Sequence, residues 1–361
     1  MPKLSINLIV YSQSEAKYLP FLFASLARQT FQDWEMILVD NKSDGSVLSF
    51  AESALKKIGK QYRVIRNDAN IGFASAHSIA YQQSKTPYVL LLNPDMFLLS
   101  DSIERMVTFL DAHQNASTVS TRLMQWRFEG LEHETNTDVK TLEQSFSNDI
   151  DAIGIRLFRN RRAVEWLSRF TWSADSESED VRKLFGKSVV EVFGVSGAFA
   201  MVRKAHVDKV LLSGGDLFDR TYHSYKEDLD LAYRMRNAGF TSYVILDTCA
   251  YHDRTGASPK KMGDWSAIKN KKNQSYYVRF HSYKNHLRTL YKNEYWQNVL
   301  LDFPFILWFE IKKNVYLLLT DPMIVLRGWK EILQYARYTR EARKSVLKSR
   351  TMYWKGLRRW F

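Results

Sequence analysis

Apolar runs and helical stripes alternate over the first hundred positions. LSINLIVYS (4–12) is apolar and β-branched, and Leu19, Leu22, Phe23, Leu26 and Ala27 then recur at helical spacing. EMILVDN (35–41) reads as a second strand, with the turn residues Asn41, Ser43, Asp44 and Gly45 behind it. A helix through Leu48 to Ile58 leads to YRVIRN (62–67), a third strand. NIGFASAHSIAYQQS (70–84) reads as a loop opening into a helix, and YVLLLNPD (88–95) as a fourth strand. Strands alternating with helices of this length imply βαβ units and a parallel sheet, with right-handed crossovers placing the strand ends on one edge.

Residues 113 to 190 break the pattern. They are polar, charge-rich and weakly periodic, and read as a variable, insertion-like region over the sheet with little regular structure. Order returns at VVEVFGVSGAFAMVRK (189–204), strand-like on both sides of Gly194 and Gly197. A helix is predicted from near Ser224 to just before Gly239. Ser224 and Glu227 fit a capping box, Asp228 and Asp230 fall in the first turn, and Gly239 is placed to end the helix. TSYVILDTCAYH (241–252) is a further strand ending in a polar residue.

Charge changes the picture only at one end. Of the net +13, residues 327 to 361 carry +9, from eleven Lys or Arg against Glu331 and Glu341, which leaves +4 for everything before them. The stretch from Tyr295 to Leu326 is rich in Leu, Ile, Val, Phe and Trp, but Asp302, Glu310, Lys312, Lys313, Asp321, Pro304 and Pro322 interrupt it. Its uncharged runs fall short of the ~20 residues that a spanning helix needs. Amphipathic helices in a membrane interface fit better, with the basic tail and Trp329, Trp354 and Trp360 drawn to anionic lipid. The alternative is a helical pair packed on the body with a solvated basic end. The single cysteine, Cys249, suits a reducing compartment, and MPKLSINLIVYSQSE lacks a signal-peptide pattern, so a cytoplasmic protein, peripheral on the inner face of the membrane, is expected.

Three strand ends present polar groups: Asp40, Asp95 and His252, and Glu227-Asp228 opens a helix. In open α/β sheets ligands bind beyond the carboxyl ends of the strands. Each residue also has a plainer reading. Asp40 can form a turn, Asp95 can cap a helix, and His252 can be a satisfied buried histidine. Glu227 can be the capping-box partner and Asp228 a helix-dipole residue, while Asp230 and Arg234 can form an i,i+4 ion pair.

In order along the chain, these segments resemble a GT-A glycosyltransferase of family 2, in the branch of bacterial rhamnosyltransferases. The matching text is VDNKSDGS (39–46), NIGFASAH (70–77), YVLLLNPD (88–95), VSGAFAMVRK (195–204), FDRTYHSYKEDLDLAYRMRNAGF (218–240) and the strand ending in His252, with SYKNHLRTLYKN (282–293) similar to the basic segment after the sheet. The resemblance runs over roughly residues 4 to 290. It implies a Rossmann-like, mostly parallel sheet flanked by helices over residues 1–255, with a helical, basic, membrane-associating extension over 256–361.

The resemblance also implies chemistry. Asp95 would be the carboxylate ligand of Mg²⁺ or Mn²⁺, a hard cation suited to the diphosphate of a nucleotide-sugar donor, and His252 would complete the coordination. Asp40 would contact the base with Tyr11 beside it, and Asn70 and Gly72 would pack on the nucleoside. Asn93 and Glu227 would bind substrate or nucleotide, Gly197 and Ala198 would line the site where small residues admit the sugar, and Asp228 would be the general base toward an acceptor hydroxyl in an inverting displacement. The chain departs from the family at Ser78 and Ala80, where Asn and Gly are common. dTDP-rhamnose is the expected donor, with a UDP-hexose or UDP-galactofuranose the alternative, and a glycan or lipid-linked molecule the acceptor. The turn YSQSEAKYL has no glycine, which excludes a dinucleotide fingerprint, and no nucleic-acid module accompanies the basic tail.

Overall fold

The protein is described here by a computed structural model covering residues 1–131, 134, 137–254 and 274–361. The domain boundary expected at residue 255 lies outside these residues. Strands β1 (Leu4–Val10), β2 (Trp34–Asp40), β3 (Tyr62–Arg66) and β4 (Tyr88–Leu92) form the expected parallel half, in the order β4-β1-β2-β3. β1, β2 and β4 are apolar runs because helices cover both faces of a parallel sheet. Those helices are α1 (Leu19–Ala27), α2 (Gly45–Ile58) and α3 (Gly72–Gln83). α2 starts where Asp44 accepts from the Ser46 N–H (2.8 Å), and it ends at Gly59, whose φ of 74° suits glycine.

Beyond β4 the sheet continues β11 (Phe199–Arg203), β6 (Ala116–Trp126), β12 (Thr241–His252) and β10 (Val189–Val192). The short β5 (Met96–Leu98) pairs with β12, and β7 (Phe146–Ala152) with β6; α4 (Ser102–Ala112) packs on β6 and β12, and β8 (Ile155–Leu157) and β9 (Ala163–Glu165) form a separate two-stranded sheet. The sheet is therefore mixed: β11 runs antiparallel to β4 and β6, while β12 and β6 are parallel.

Residues 113 to 190 hold far more structure than their polarity predicts. β6 lies deep within the sheet, and its polar residues are hydroxyls that hydrogen-bond to neighbouring strands. Ser117 donates to the Thr241 carbonyl (2.9 Å), Thr118 to Ser242 Oγ (2.6 Å) and Ser120 to the Phe199 carbonyl (2.6 Å). Paired hydroxyls can be buried in a core where bare ones could not.

The predicted capping box is absent. α5 (Glu227–Asn237) begins at Glu227 itself, and the preceding Lys226 stands at φ 73° with no side-chain cap. Ser224 instead receives a hydrogen bond from the Tyr277 hydroxyl (3.1 Å). The other end is as predicted: the Gly239 N–H bonds to the Arg236 carbonyl and the Phe240 N–H to the Met235 carbonyl, with Gly239 at φ 82°.

The C-terminal helices are α6 (Tyr276–Asn293), α7 (Trp296–Thr320), α8 (Pro322–Gln334), α9 (Ala336–Ser349) and α10 (Trp354–Arg358). Among the described residues no helix is long and apolar enough to cross a membrane. The basic end is not a free tail. Leu357 is fully buried, Trp354, Trp360 and Phe361 pack beside Phe193 and Tyr233, and Arg358 and Arg359 pair with Asp302 and Glu191 (both 2.9 Å).

Candidate active site at the switch point of the sheet

From β1 the chain winds outward through β2 and β3, then returns to place β4 on the other side of β1. The crevice at this reversal, outside the carboxyl ends of β1 and β4, is where an open α/β sheet holds a ligand. Tyr11 follows β1 and Asn93-Pro94-Asp95 follows β4, so both flank it.

Each side chain is set by local geometry. Glu15, in a one-turn helix after β1, accepts from the Tyr11 N–H (2.8 Å) and the Ser12 N–H (3.3 Å) and so fixes Tyr11 at the rim. Asn93 donates its N–H to the Ala198 carbonyl (2.9 Å). Directly after Asp95, β5 pairs with the end of β12, so that Met96 lies opposite His252, and the Asp253 N–H reaches the Asp95 carbonyl (3.2 Å). This pairing sets His252 Nε2 3.4 Å from Asp95 Oδ2. Asp95 caps no helix; a strand follows it.

Behind His252 stands Asp151, a residue that the sequence does not single out. Its carboxylate lies 2.9 Å from His252 Nδ1 and 3.0 Å from Arg254 Nε, and it is fully buried. Arg254 continues the network to Glu165 (2.9 Å) and donates to Ser196 Oγ (3.1 Å). A carboxylate behind an imidazole fixes the ring so that its other nitrogen points into the site.

Asp228 sits in the first turn of α5. Its Oδ1 accepts from the Leu229 N–H (2.7 Å) and its Oδ2 from the Gly197 N–H (3.4 Å). A Cβ on Gly197 would lie 3.5 Å from the Asp228 Cβ, so the two walls meet here. Just before α5, His223, Tyr225 and Lys226 all have φ between 65° and 73°. Such left-handed residues without glycine cost about 1–3 kcal/mol each and gather at functional loops. His223 also packs under Gly72, at φ 83°, where an added Cβ would come within 2.6 Å of the His223 carbonyl oxygen. Gly72 therefore joins the two loops.

Asp40 and Asn70 are less directly presented. The Asp40 carboxylate accepts from the Ser43 N–H (2.7 Å), which is the turn role. Asn70 Oδ1 accepts from Asn41 Nδ2 and the Gly72 N–H (both 2.9 Å), bracing the loop. Asp230 does pair with Arg234 (3.1 Å), but fully buried, and Lys292 (2.9 Å) and Asn293 (2.8 Å) also reach it. Lys292 links on to Asp219 (2.8 Å), so α6 is locked against α5 by buried charge.

Burial and neighbouring charge shift several groups around the site. Burial pushes Glu15 up to about 8, against its two N–H bonds and with help from Asp95, and burial with Asp228 nearby pushes Glu227 up to about 8. Burial likewise raises Glu165, with Arg254 pulling it down and Asp228 pushing it up. Burial works against a charged His252, yet Asp95 and Asp151 outweigh it and raise the imidazole to about 9. Asp95 Oδ1 is buried with no hydrogen-bond partner. An unpaired carboxylate oxygen beside an imidazole whose far nitrogen is held by Asp151 can take a divalent cation in place of the imidazole proton. Among the described residues no three of His, Cys, Asp or Glu gather into a protein-only cage, so other ligands would come from outside the chain. Asp95 and His252 fit that partial set.

Comparison with known proteins identifies the family and the fold. The sequence profile of the family described as Glycosyl transferase family 2 matches residues 5–211. The chain is 33% identical over 103 residues, 28% of its length, to a teichoic acid poly(glycerol phosphate) polymerase of Staphylococcus epidermidis. It covers 14% of that polymerase, and less than half of the other curated relatives it matches first. Among solved structures, GalNAc-T7 with UDP, GalNAc and Mn²⁺ aligns with a TM-score of 0.53 at 13% identity, over 81% of this chain and 48% of that one. The mannosyltransferase PcManGT of Pyrobaculum calidifontis, with GDP-Man and Mn²⁺, aligns with a TM-score of 0.50 at 13% identity, over 96% and 86%. At such identities the likeness is one of fold, and the fold is GT-A.

Proposed function

The chain belongs to the family 2 glycosyl transferases, and from that premise we propose an inverting, metal-dependent enzyme that moves a sugar from a nucleotide-sugar donor to an acceptor hydroxyl. The donor we propose is dTDP-rhamnose, with a UDP-sugar as the alternative. The acceptor is a glycan or lipid-linked molecule of cell-surface polysaccharide synthesis, met in the cytoplasm at an anionic membrane surface.

One observation carries the reading: the β5–β12 pairing sets the orphaned Asp95 oxygen and His252 side by side at the switch point, with Asp228 on the neighbouring wall. Asp95 and His252 would hold Mg²⁺ or Mn²⁺, which when bound offsets the negative charge of a departing nucleoside diphosphate. Tyr11, Asp40, Asn70, Gly72 and Asn93 bind and orient the donor. Asp228, its carboxylate oriented by the Leu229 and Gly197 N–H groups, takes the proton of the acceptor hydroxyl. That oxygen attacks the anomeric carbon as the bond to the diphosphate oxygen breaks, and its electron pair leaves with the nucleotide. One displacement inverts the anomeric centre. Proton transfer to a positioned carboxylate contributes roughly 10²- to 10⁴-fold.

The test is thermal stabilisation by dTDP, UDP, GDP and NAD, each with Mn²⁺ or with EDTA. Metal-dependent stabilisation by one nucleoside diphosphate supports the reading and names the base. Stabilisation by NAD alone, or none by any nucleotide, would sink it.

A further inference from the structure

Helix α7 turns polar residues inward and apolar ones outward. Of its five buried residues Phe309 and Leu317 are apolar, but Asn298, Asp302 and Lys313 are polar or charged, all at least nine-tenths buried. They are satisfied there: Asp302 by Arg161 (3.0 Å) and Arg358 (2.9 Å), Lys313 by Glu310 (2.5 Å), and Asn298 by the Trp354 carbonyl (3.0 Å). The residues it turns outward are apolar. Trp296, Leu300, Trp308 and Leu319 are 62–82% exposed, and Phe303 and Ile311 lie half-exposed between them. α8 extends the patch with Met323, Leu326, Trp329 and Leu333, while its Ile324 and Val325 pack inward. A surface helix in water normally shows the opposite arrangement, and a patch of this extent marks an interaction site.

Charge identifies the occupant. Every carboxylate of α7, α8 and their junction is tied to a cation: Asp302 as above, Glu310 to Lys313, Asp321 to Arg279 (3.3 Å) and Glu331 to Lys284 (2.8 Å). The exposed charged residues of the two helices are Arg327 and Lys330, both cations set among the outward apolar side chains of α8. An apolar face dotted with cations complements anionic lipid, whereas two copies of the same face would oppose like charges. No described helix can span a bilayer, so the fit is a helix pair lying in its interface. We infer that the outer face of α7 and α8 docks on an anionic lipid bilayer, with Trp296, Leu300, Trp308, Leu319, Leu326 and Trp329 entering the headgroup–acyl boundary.

The docking face shares one end of α6 with the acceptor side of the site. Arg279 ties the first turns of α6 to Asp321 at the α7–α8 junction. Two residues earlier, Tyr277 bonds Ser224 and packs its ring 6.0 Å from that of Tyr225. A docked bilayer therefore lies at the end of the molecule where α6 meets the Asp228 wall, which specifies the acceptor as one borne on lipid. This last step rests on the transfer reading; the docking itself does not.

The experiment is flotation of the full chain with phosphatidylglycerol–phosphatidylcholine vesicles and with phosphatidylcholine alone. It compares wild type with the triple variant Leu300→Glu, Trp308→Glu, Leu319→Glu, and with Arg327→Glu/Lys330→Glu. All five side chains point outward, so the thermal midpoint and the stabilisation by nucleoside diphosphate report that the fold and donor site are intact. Wild type should float with anionic vesicles, and the triple variant by at least about tenfold less. The Arg327/Lys330 variant should lose the preference for anionic lipid. Wild type that stays unbound, or a triple variant that floats equally well, overturns the proposal. So does a wild-type dimer in sedimentation that the triple variant abolishes, since a second copy would then cover the face. Failed flotation with nucleotide stabilisation intact removes the docking surface and leaves the transfer reading standing.

Discussion

Asp151→Asn keeps the shape of a fully buried side chain and removes the charge that holds His252 and Arg254. Two effects follow, and they separate. The first is on the fold. Breaking a buried ion pair costs about 3–5 kcal/mol. Arg254 retains Glu165 (2.9 Å) and Ser196 (3.1 Å), so the loss belongs at the lower end, about 3 kcal/mol. A domain with an ordinary stability of about 5–15 kcal/mol survives that. The second effect is on the site: freeing the imidazole from its carboxylate lowers metal affinity about 10- to 100-fold. With Mn²⁺ and a nucleoside diphosphate at a hundredfold over the dissociation constant, wild type gains about 2.7 kcal/mol of stability. A hundredfold weaker site at the same concentrations gains only RT ln 2, about 0.4 kcal/mol. The assay is thermal unfolding with Mn²⁺ or EDTA. Glu165→Gln is the control, because it disturbs Arg254 without touching His252 and should keep the full increment. An Asp151→Asn protein with an undiminished Mn²⁺-dependent increment would refute the argument that Asp151 orients a metal-binding histidine.

Three further outcomes are expected. Asp230→Asn removes the charge shared by Arg234, Lys292 and Asn293. It should cost about 3 kcal/mol in denaturant unfolding, because both cations keep other partners; a loss under about 1 kcal/mol would mean the cluster does not lock α6 to α5. Burial works against the Asp219 charge, but Lys292 and Arg288 overcome it and hold the carboxyl at about 2 against an ordinary 3.8. A depressed carboxyl contributes its stability above the unfolded value and loses it as the pH falls through the folded one. Asp219 should therefore add roughly 2 kcal/mol above about pH 4 that fades toward pH 2, and Asp219→Asn should flatten that limb of the pH–stability curve. Gly72→Ala meets both a positive φ and the His223 carbonyl. It should destabilise by at least about 1 kcal/mol and weaken donor binding, measured by calorimetry.

The parallel half of the fold was legible because β1, β2 and β4 are covered by helices and read as apolar runs, with the edge strand β3 following at the same spacing. Asp95 and His252 stood out for the same reason, as polar residues ending such runs. β6 was not legible, because ASTVSTRLMQW hides a buried strand behind hydroxyls whose partners are distant in sequence. Asp151 lies on β7, the neighbour of that strand, so nothing local tied it to His252. Arg254 was closer to discovery, two residues beyond His252, but its role depends on Asp151 and Glu165. The Ser224–Glu227 spacing suited a cap until the left-handed Tyr225 and Lys226 turned the chain away from it. For α7 the apolar stripe was readable and its direction was not: only the buried partners of Asp302 and Lys313 decide that the polar face looks inward.

The most direct measurement is calorimetric binding of the nucleoside diphosphate with Mn²⁺, alongside transfer assays, on Asp95→Ala and Asp228→Asn. Asp95→Ala should lose the metal-dependent part of binding, and transfer with it. Asp228→Asn should bind as wild type does and transfer at least about a hundredfold more slowly. Metal-dependent binding that survives Asp95→Ala, or near-native transfer by Asp228→Asn, would contradict the assignment of the two carboxylates to opposite sides of one displacement.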